Sequence, residues 1–342
     1  MKEIFGTKAL AYSPNGQFIL CVTKQGSVKE IDCATRSVSF EYKYSGEGAT
    51  FATYSPQGNR VLIISRDYHV EEFCKFSSTA IFSFEIHTSK VTSVCYSPCG
   101  SKVLIATTDG DVKQWSCSQK RCLSAYHKIF PGIISINYSS DGRRFLAASD
   151  KGSINEFSID SGRLANSYNL NSDIEIVSIS VSNKFRHLLV LYRNGTIELW
   201  NLIKRACVNT FLLNKQGFES IIISPNGQNF VSFGDNLGVF KYWSSSTGKN
   251  IHTFIGHRSK VISVIFSENG ERVLSISLDR TVKAWCSLSG NLIHSFPTHK
   301  TKAILTIYSV CGKMILIISE DGTAEMWSSI KGKLIYIFPK TK

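Results

Sequence analysis

The chain has 342 residues, of which 43% are hydrophobic, and it contains only seven prolines. No apolar stretch approaches the ~18 residues that a transmembrane helix needs, and the N-terminus MKEIFGTKALAY lacks the apolar core and cleavage site of a secretory signal. We therefore expect an intracellular protein, cytoplasmic or nuclear, with no membrane span, whose formal net charge of +13 favours acidic partners.

A repeat of 42 or 43 residues runs along the chain from its beginning. One marker of the repeat is a large apolar residue that includes all five tryptophans: Ile31, Phe73, Trp115, Phe157, Trp200, Trp243, Trp285 and Trp327. A second marker lies about twenty residues upstream and reads YSPNG at 12, YSPQG at 54, YSPCG at 96, YSSDG at 138, ISPNG at 223, FSENG at 266 and YSVCG at 308. The degraded form VSNKF at 181 completes eight units.

Each unit reads as four short β-strands. In the seventh unit the runs KVISVIF, RVLSISL, TVKAW and LIHSF are rich in β-branched and aromatic residues, and turn residues separate them. Small four-stranded sheets that recur at a fixed period must stack on one another. The sequence predicts an all-β fold in which residues 1–342 form a single β-propeller domain of eight four-stranded blades. In the seven-blade alternative, residues 8–43 remain outside the ring, because this unit has Ile31 and Gln25 in place of Trp and Asp.

The ends of the chain bear on ring closure. The last unit contains its own outer strand, KLIYIF at 333–338, so we expect every blade to use consecutive sequence. Residues 2–5 can then add at most a short fifth strand to the last blade or cover its edge. Because the first and last blades would meet only through side-chain packing, we expect amides at 8–13 and 303–308 to exchange before those at 261–266.

These motifs resemble the WD-repeat β-propellers over essentially the whole chain. In that family a His before the first strand of a blade, a Ser or Thr on the second strand, an Asp in the next turn and a Trp on the third strand form a buried hydrogen-bonded network. The resemblance implies this role for His87, Thr107, Asp109 and Trp115, for His257, Ser277, Asp279 and Trp285, and for His299, Ser319, Asp321 and Trp327. The sequence departs from the family where Ser65 and Asp67 have no matching His and where Asn194 replaces Asp.

A Ser, a His and an Asp also suggest a hydrolase triad. A triad is needed once, at one cleft, whereas this set recurs at a fixed period, so we interpret it as structural. No phosphate-binding loop, HExxH, GxSxG or dinucleotide fingerprint is present. We therefore expect neither enzymatic activity nor a cofactor.

Two cysteine pairs raise the question of a metal site. Cys95 with Cys99 and Cys117 with Cys122 are closely spaced, but no His lies near both pairs. The ten cysteines fall mostly in apolar runs such as FILCVTK, which is typical of core residues in a reducing compartment. We expect ordinary core or turn cysteines and no metal.

The resemblance places the lead-in loops, which precede each blade, and the 2–3 turns, which join its second and third strands, on the usual partner-binding face of the family. Basic, aromatic and apolar residues in these segments are candidate contacts: Arg66, Tyr68, Lys128, Ile129, Phe130, Arg193, Leu237 and Arg280. Two other interpretations are a merely solvated basic surface and apolar residues that pack locally over the blade edges.

Three functions follow from these features. The favoured one is a monomeric, non-enzymatic protein-interaction scaffold that presents this basic face to an acidic or phosphorylated segment of a partner. The alternative is a nucleic-acid or ribonucleoprotein-associated propeller, which the sequence pI of about 9.2 supports. An enzyme that uses the central channel is the third, and we find no residue set for it.

Overall fold

The computed structural model describes the following residues: 7–23, 25–75, 77, 79–84, 89–149, 153–168, 170, 174–182, 186–212, 218–234, 237–298, 301–309, 311–321 and 323–338. These residues contain strands and turns but no helix. The chain divides into two compact units, residues 1–172 with 340–342 and residues 173–339. Each unit holds four antiparallel sheets of four strands, and each sheet is one blade.

The first unit contains blades 1 to 4. Their strands are β1(Thr7–Tyr12), β2(Phe18–Thr23), β3(Val28–Asp32), β4(Val38–Tyr42), β5(Ala49–Tyr54), β6(Arg60–Ser65), β7(Val70–Cys74), β8(Ala80–Phe84), β9(Val91–Tyr96), β10(Lys102–Thr107), β11(Val112–Ser116), β12(Arg121–Tyr126), β13(Ile133–Tyr138), β14(Arg144–Ser149), β15(Ile154–Ser158) and β16(Leu164–Tyr168). Within each blade the strands pair in sequence order.

The second unit contains blades 5 to 8, which have the same topology. Their strands are β17(Ile176–Val181), β18(His187–Tyr192), β19(Thr196–Asn201), β20(Ala206–Leu212), β21(Phe218–Ile223), β22(Asn229–Gly234), β23(Val239–Ser244), β24(Asn250–Ile255), β25(Val261–Phe266), β26(Arg272–Ser277), β27(Thr281–Cys286), β28(Leu292–Pro297), β29(Ala303–Tyr308), β30(Met314–Ser319), β31(Ala324–Ser328) and β32(Leu334–Phe338).

The second repeat marker builds the first hairpin of each blade. In blade 7 the Ser267 hydroxyl accepts from the Arg272 amide at 3.0 Å and donates to the Arg272 carbonyl at 3.2 Å. Gly270 has a φ of 74°, a left-handed conformation that a residue with a side chain adopts only at a cost. The serine and the glycine of the marker therefore perform separate tasks, closing the hairpin and turning its backbone.

The core lies between successive blades of each unit. In blades 6 and 7, Phe240, Phe254 and Val264 form one cluster with Trp285, and comparable clusters join the other neighbours within each unit. The repeat-marker residues Ile31, Phe73, Trp115, Phe157, Trp285 and Trp327 are buried. Trp200 and Trp243 are only half-buried.

The predicted fold is confirmed: the protein is an eight-bladed β-propeller in which every blade uses four consecutive strands. The first sequence repeat, which the seven-blade alternative left outside the ring, forms the complete blade β1 to β4. The outer strand of blade 8 comes from its own sequence, residues Leu334–Phe338. Residues 2–5 lie outside the described residues.

Candidate functional site: polar networks and loop surfaces

The lead-in loop of blade 7 and strands β26 and β27 build a buried chain of polar groups. The Nδ1 atom of His257 lies 2.9 Å from Oδ2 of Asp279, and its Nε2 atom lies 2.7 Å from the Ser275 hydroxyl. The indole of Trp285 donates to the same hydroxyl at 2.8 Å. Together these contacts satisfy every polar atom of the imidazole and the indole.

The protonation of this chain follows from its surroundings. Burial lowers the pKa of His257, which favours the neutral imidazole. Burial opposes ionisation of Asp279, but hydrogen bonds from the Arg258 amide and the Thr281 hydroxyl outweigh it and lower the pKa of this carboxyl group. His257 therefore donates through Nδ1 to a carboxylate and accepts through Nε2 from Ser275.

The prediction for Ser277 was wrong, because Ser275 supplies the hydroxyl of the blade 7 network. Ser277 instead donates to the carbonyl of Ser259 at 2.8 Å and accepts from the Asp279 amide at 3.1 Å. The two serines lie on the same side of β26, two residues apart, and Ser275 is nearer to the level of the indole. Ser275, His257 and Asp279 are hydrogen-bonded in the same sequence as the Ser, His and Asp of a hydrolase triad. However, Ser275 is fully buried, and its hydroxyl accepts a hydrogen bond from Trp285.

Blades 3 and 8 depart from the predicted network at the same place. Strand registers put Ile105 and Ile317 at the position of Ser275, so this position carries no hydroxyl in either blade. The indole of Trp327 donates to Glu325 at 3.0 Å, and that of Trp115 has no acceptor among the described residues.

The remaining predicted members of these two networks act in their own turns. In blade 3 the Thr107 hydroxyl donates to Asp109, a bond that lowers the pKa of the carboxyl group. In blade 8 the Asp321 carboxylate accepts from the Thr323 amide at 3.0 Å, and Ser319 Oγ has no partner among the described residues. His87 and His299 lie outside the described residues.

Blade 2 recruits a histidine that sequence reasoning missed. Asp67 accepts from Ser65, and its other oxygen lies 2.7 Å from Nδ1 of His69. His69 follows Asp67 by two residues, at the position where blade 7 has Thr281, whose hydroxyl donates to Asp279 at 2.7 Å. A polar residue two positions after the Asp was the signal that could have identified it.

A second missed feature joins neighbouring blades of the first unit. Tyr54, the first residue of the YSPQG marker, donates to buried Glu30 of the preceding blade at 2.9 Å. Tyr96 donates to Glu72 at 3.0 Å in the same way, and the Gln114 amide donates to the Tyr138 hydroxyl at 3.0 Å. Each pair is separated by 24 residues, so the marker tyrosine acts as a cross-blade tie.

The second unit lacks this tie. The residues that precede its marker tryptophans are Leu199, Tyr242, Ala284 and Met326, none of which is a carboxylate or an amide. Accordingly, the buried hydroxyl of Tyr308 has no partner among the described residues, because blade 7 offers Ala284 at this site. Burial raises the pKa of Tyr54 above its usual range, with Glu30 as a further cause, and it raises the pKa of Tyr308 as well.

The 2–3 turns contain a left-handed position that glycine fills in blades 1, 3, 5 and 6, at Gly26, Gly110, Gly195 and Gly238. Tyr68 in blade 2 and Arg280 in blade 7 occupy it with φ angles of 69° and 67°. A left-handed residue with a side chain costs roughly 1–2 kcal/mol. These two turns therefore keep a large side chain where glycine is the less strained choice.

The 2–3 turn of blade 6 is longer than that of blade 7 by one residue. Residues 233–240 separate the paired Ser232 and Lys241, which is eight residues, whereas residues 276–282 separate Ser275 and Lys283, which is seven. The longer turn contains Leu237, which has a φ of 32° and is 85% exposed.

We call four exposed residues of the neighbouring blades 6 and 7 the blade 6–7 patch: Leu237, Ile255, Arg258 and Arg280. Ile255 is 72% exposed, and its strand partner is Val239, which follows Leu237 by two residues. The Arg258 amide donates to Asp279 at 2.8 Å, and the Arg280 carbonyl accepts from the Thr298 hydroxyl at 2.9 Å. These hydrogen bonds fix the backbone at both arginines, while their side chains are exposed.

The other candidate contact residues differ in exposure and in their partners. Arg66 and Lys128 are exposed, and the Lys128 amide donates to Asp111 at 2.8 Å. Ile129 and Phe130 are half-buried against the core between blades 3 and 4. Arg193 forms a two-point ion pair with Glu175 through bonds of 2.5 and 2.6 Å, and this partner raises the pKa of Arg193 and lowers that of Glu175.

The cysteine pairs are split between interior and surface. Burial raises the pKa of Cys95 to about 12, whereas the hydroxyl of Ser101 is the main cause that lowers the pKa of the exposed Cys99 to about 7. Burial likewise raises the pKa of Cys117 to about 12, while Cys122 is exposed. Within the described part of the chain, no three His, Cys, Asp or Glu residues are grouped as metal ligands would be, and no helix could span a membrane.

Comparisons with known proteins agree with this architecture. The family model described as WD domain, G-beta repeat matches residues 78–116 and 248–286. None of the curated proteins matches the sequence. Among solved structures, the crystal structure of the computationally designed Ika8 protein is similar with a TM-score of 0.79 and 19% identity over 96% of this chain and 97% of that chain, which supports the fold alone. The two WD repeats that the family model recognises and the eight four-stranded blades of the structure are consistent with a WD-repeat family of β-propellers.

Proposed function

We propose that the protein is a non-enzymatic scaffold that binds an acidic or phosphorylated segment of a partner protein through its lead-in loops and 2–3 turns. WD-repeat propellers are typical protein-interaction scaffolds. The observation that carries the proposal is the blade 6–7 patch, where a lengthened turn of blade 6 holds Leu237 85% exposed and the neighbouring blade 7 exposes Arg258 and Arg280.

The composition of the patch suits a protein contact better than a solvated surface. Two exposed apolar side chains, Leu237 and Ile255, provide area that a partner can bury, and the two guanidinium groups provide paired donors for carboxylate or phosphate. An acidic segment with one apolar anchor complements this arrangement. In blade 2, Arg66 is exposed, whereas the left-handed Tyr68 is half-buried against the core between blades 2 and 3.

Backbone strain supports the same interpretation. Arg280 occupies a left-handed position where four other blades have glycine, and a residue kept in such a position despite its cost suggests a role for the side chain. Replacing it with glycine removes the side chain and relieves the strain together. Stability and binding are therefore expected to change in opposite directions.

The test uses the full chain as bait in a lysate, with bound proteins quantified by mass spectrometry. The variants are Leu237→Gly and Arg280→Gly, and the matched control is Lys120→Gly, which relieves a left-handed residue with φ 53° in the hairpin between the third and fourth strands of blade 3. We expect all three variants to melt at or above the wild-type temperature. A common set of proteins should be lost from both patch variants and kept by the control.

Two results would count against the proposal. Recovery of the same proteins by all variants would show that the blade 6–7 patch does not bind them. Capture of RNA or DNA that falls steeply with salt and is indifferent to Leu237→Gly would favour the nucleic-acid alternative, because phosphate contacts release counterions. Treating the lysate with phosphatase separates a phosphorylated segment from one that is acidic by sequence.

A further inference from the structure

The outer strand of blade 5, β20, differs from the outer strands of the other blades. At seven residues it is the longest described strand, and none of its residues is buried. Each of the other seven outer strands buries one aromatic residue near its end: Tyr42, Phe84, Tyr126, Tyr168, Phe254, Phe296 and Phe338. The equivalent residue of β20, Phe211, is only half-buried and stacks on Phe230 with ring centroids 6.2 Å apart.

The exposed surface of β20 is apolar and uncharged. Val208 is 50% exposed and Leu212 is 71% exposed, and with Thr210 they alternate along one side of the strand. An edge strand presents unpaired backbone N–H and C=O groups, and proteins usually protect such edges with charged side chains, proline or burial. The sequence of β20, ACVNTFL, contains neither a charge nor a proline.

The strand is nevertheless held in place. The Asn209 side chain donates to the carbonyls of Ser245 and Ser246 in blade 6 at 3.2 and 3.0 Å. The other long edge of the strand is paired with β19. A fixed edge of this kind resembles the sheet edges that accept an added strand from a partner.

The charged residues next to β20 indicate which kind of segment can pair with it. Lys204 and Arg205 directly precede β20 and are exposed. A second copy of this chain carries the same net charge of +13, which opposes self-association. A segment with carboxylates that face Lys204 and Arg205 has the opposite effect.

We infer that β20 is a second interaction surface, which extends the sheet of blade 5 by pairing with an extended peptide segment that is apolar at alternate positions and acidic at the end that faces Lys204 and Arg205. The surface is separate from the blade 6–7 patch and uses main-chain hydrogen bonds, whereas the patch uses side chains. The protein then has one surface that recognises side-chain chemistry and another that recognises extended backbone.

The experiment measures binding of the fluorescent peptide EDVTVTVTDE to the full chain by anisotropy. The double substitution Val208→Lys with Leu212→Lys charges the edge, and Val38→Lys on β4, where Val38 is 40% exposed, is the matched control on another outer strand. We expect the double variant to bind roughly tenfold more weakly or worse, and the control to bind as wild type does. Hydrogen exchange should slow at residues 206–212 when the peptide is present.

A modified peptide tests the backbone pairing on the wild-type chain. N-methylation of alternate residues along one edge of the peptide removes its donors and leaves its side chains, so we expect binding to be lost. The inference is overturned if the wild type does not bind EDVTVTVTDE, if the N-methylated peptide binds equally, or if the double variant still binds. A concentration-dependent dimer that the double variant abolishes would also overturn it, since β20 would then pair with a second copy. The Leu237→Gly variant should bind the peptide normally, which separates this result from the proposed function.

Discussion

Ser275 holds the polar network of blade 7 together, because one hydroxyl serves both His257 and Trp285. The network ends at Asp279, which also accepts from the Arg258 amide and the Thr281 hydroxyl. Removal of a member takes one hydrogen-bond partner away from each of its buried neighbours. A buried donor or acceptor that loses its partner costs about 1–3 kcal/mol.

Loss of the carboxylate at 279 should therefore weaken the fold more than loss of the amide at 194. We expect Asp279→Ala to lower the free energy of unfolding by roughly 2–4 kcal/mol, through unpaired donors. Trp285→Ala should cost about 3–5 kcal/mol through the cavity it leaves. Asn194→Ala removes one bond of 2.9 Å to the Thr196 amide in an exposed turn and should cost less than about 1 kcal/mol.

Urea denaturation of the three variants measures these differences. Equal losses at positions 279 and 194 would contradict the structural role given to the blade 7 network, because Asn194 has no buried partner to lose among the contacts described above.

The acid side of the stability profile should depend on His257. Burial lowers its pKa, so between the ordinary histidine value and the lower folded value the unfolded chain binds a proton that the native chain does not. The stability from this group is present above about pH 6.5 and is lost as pH falls through the folded pKa. We expect His257→Gln to flatten the dependence of unfolding free energy on pH below about pH 6.5.

A second variant, His187→Gln, tests whether the two histidines contribute separately. Burial also lowers the pKa of His187, with Arg186 as a second cause, so this variant should flatten the profile too. His187 lies outside the blade 7 network, however, and its loss should leave the contribution of His257 in place. A profile that is unchanged in His257→Gln would show that the imidazole does not titrate differently on folding.

At the scale of the strands, the marker tyrosines test whether the cross-blade tie stabilises the fold. Tyr54 donates to buried Glu30, whereas the hydroxyl of Tyr308 at the same position of blade 8 has no partner among the described residues. Tyr54→Phe should therefore cost about 1–3 kcal/mol, while Tyr308→Phe should be neutral or stabilising.

Thermal denaturation of the two variants decides the point, since each removes one hydroxyl group from an equivalent strand end. Similar shifts in melting temperature would mean that Glu30 is satisfied without Tyr54. The Tyr42 hydroxyl at 3.1 Å from Glu30 and the Lys75 ammonium group at 3.5 Å are the groups that could compensate.

The sequence predicted the strands better than it predicted their polar contacts. Periodicity located all eight blades, because the apolar residues and turns recur at a fixed spacing. It assigned Ser277 to the blade 7 network in place of Ser275, which lies two residues away on the same side of the strand. It missed His69 because the family pattern places the histidine before the blade, and it missed Glu30 because a Glu in a strand reads as solvent-facing until its neighbouring blade is known.

At the scale of the whole molecule, the two units achieve similar blades by different side-chain chemistry. The first unit joins its blades through buried carboxylates and amides at Glu30, Glu72 and Gln114. In the second unit, outer strands hold the next blade instead: His252 Nε2 lies 2.9 Å from the Leu288 carbonyl, and His294 Nε2 lies 3.0 Å from the Ile330 carbonyl. That residues 1–342 act as one domain stays a prediction.

The spacing of these cross-blade hydrogen bonds has a consequence for synthesis of the chain. The tyrosine ties span 24 residues and the histidine contacts span 36, and even the bond from Arg272 to the Ser329 carbonyl spans only 57. Within each unit, these bonds join a blade to its neighbour in the sequence, so its polar partners are synthesised shortly before or after it. Blades of the same unit can therefore dock in order as the chain leaves the ribosome.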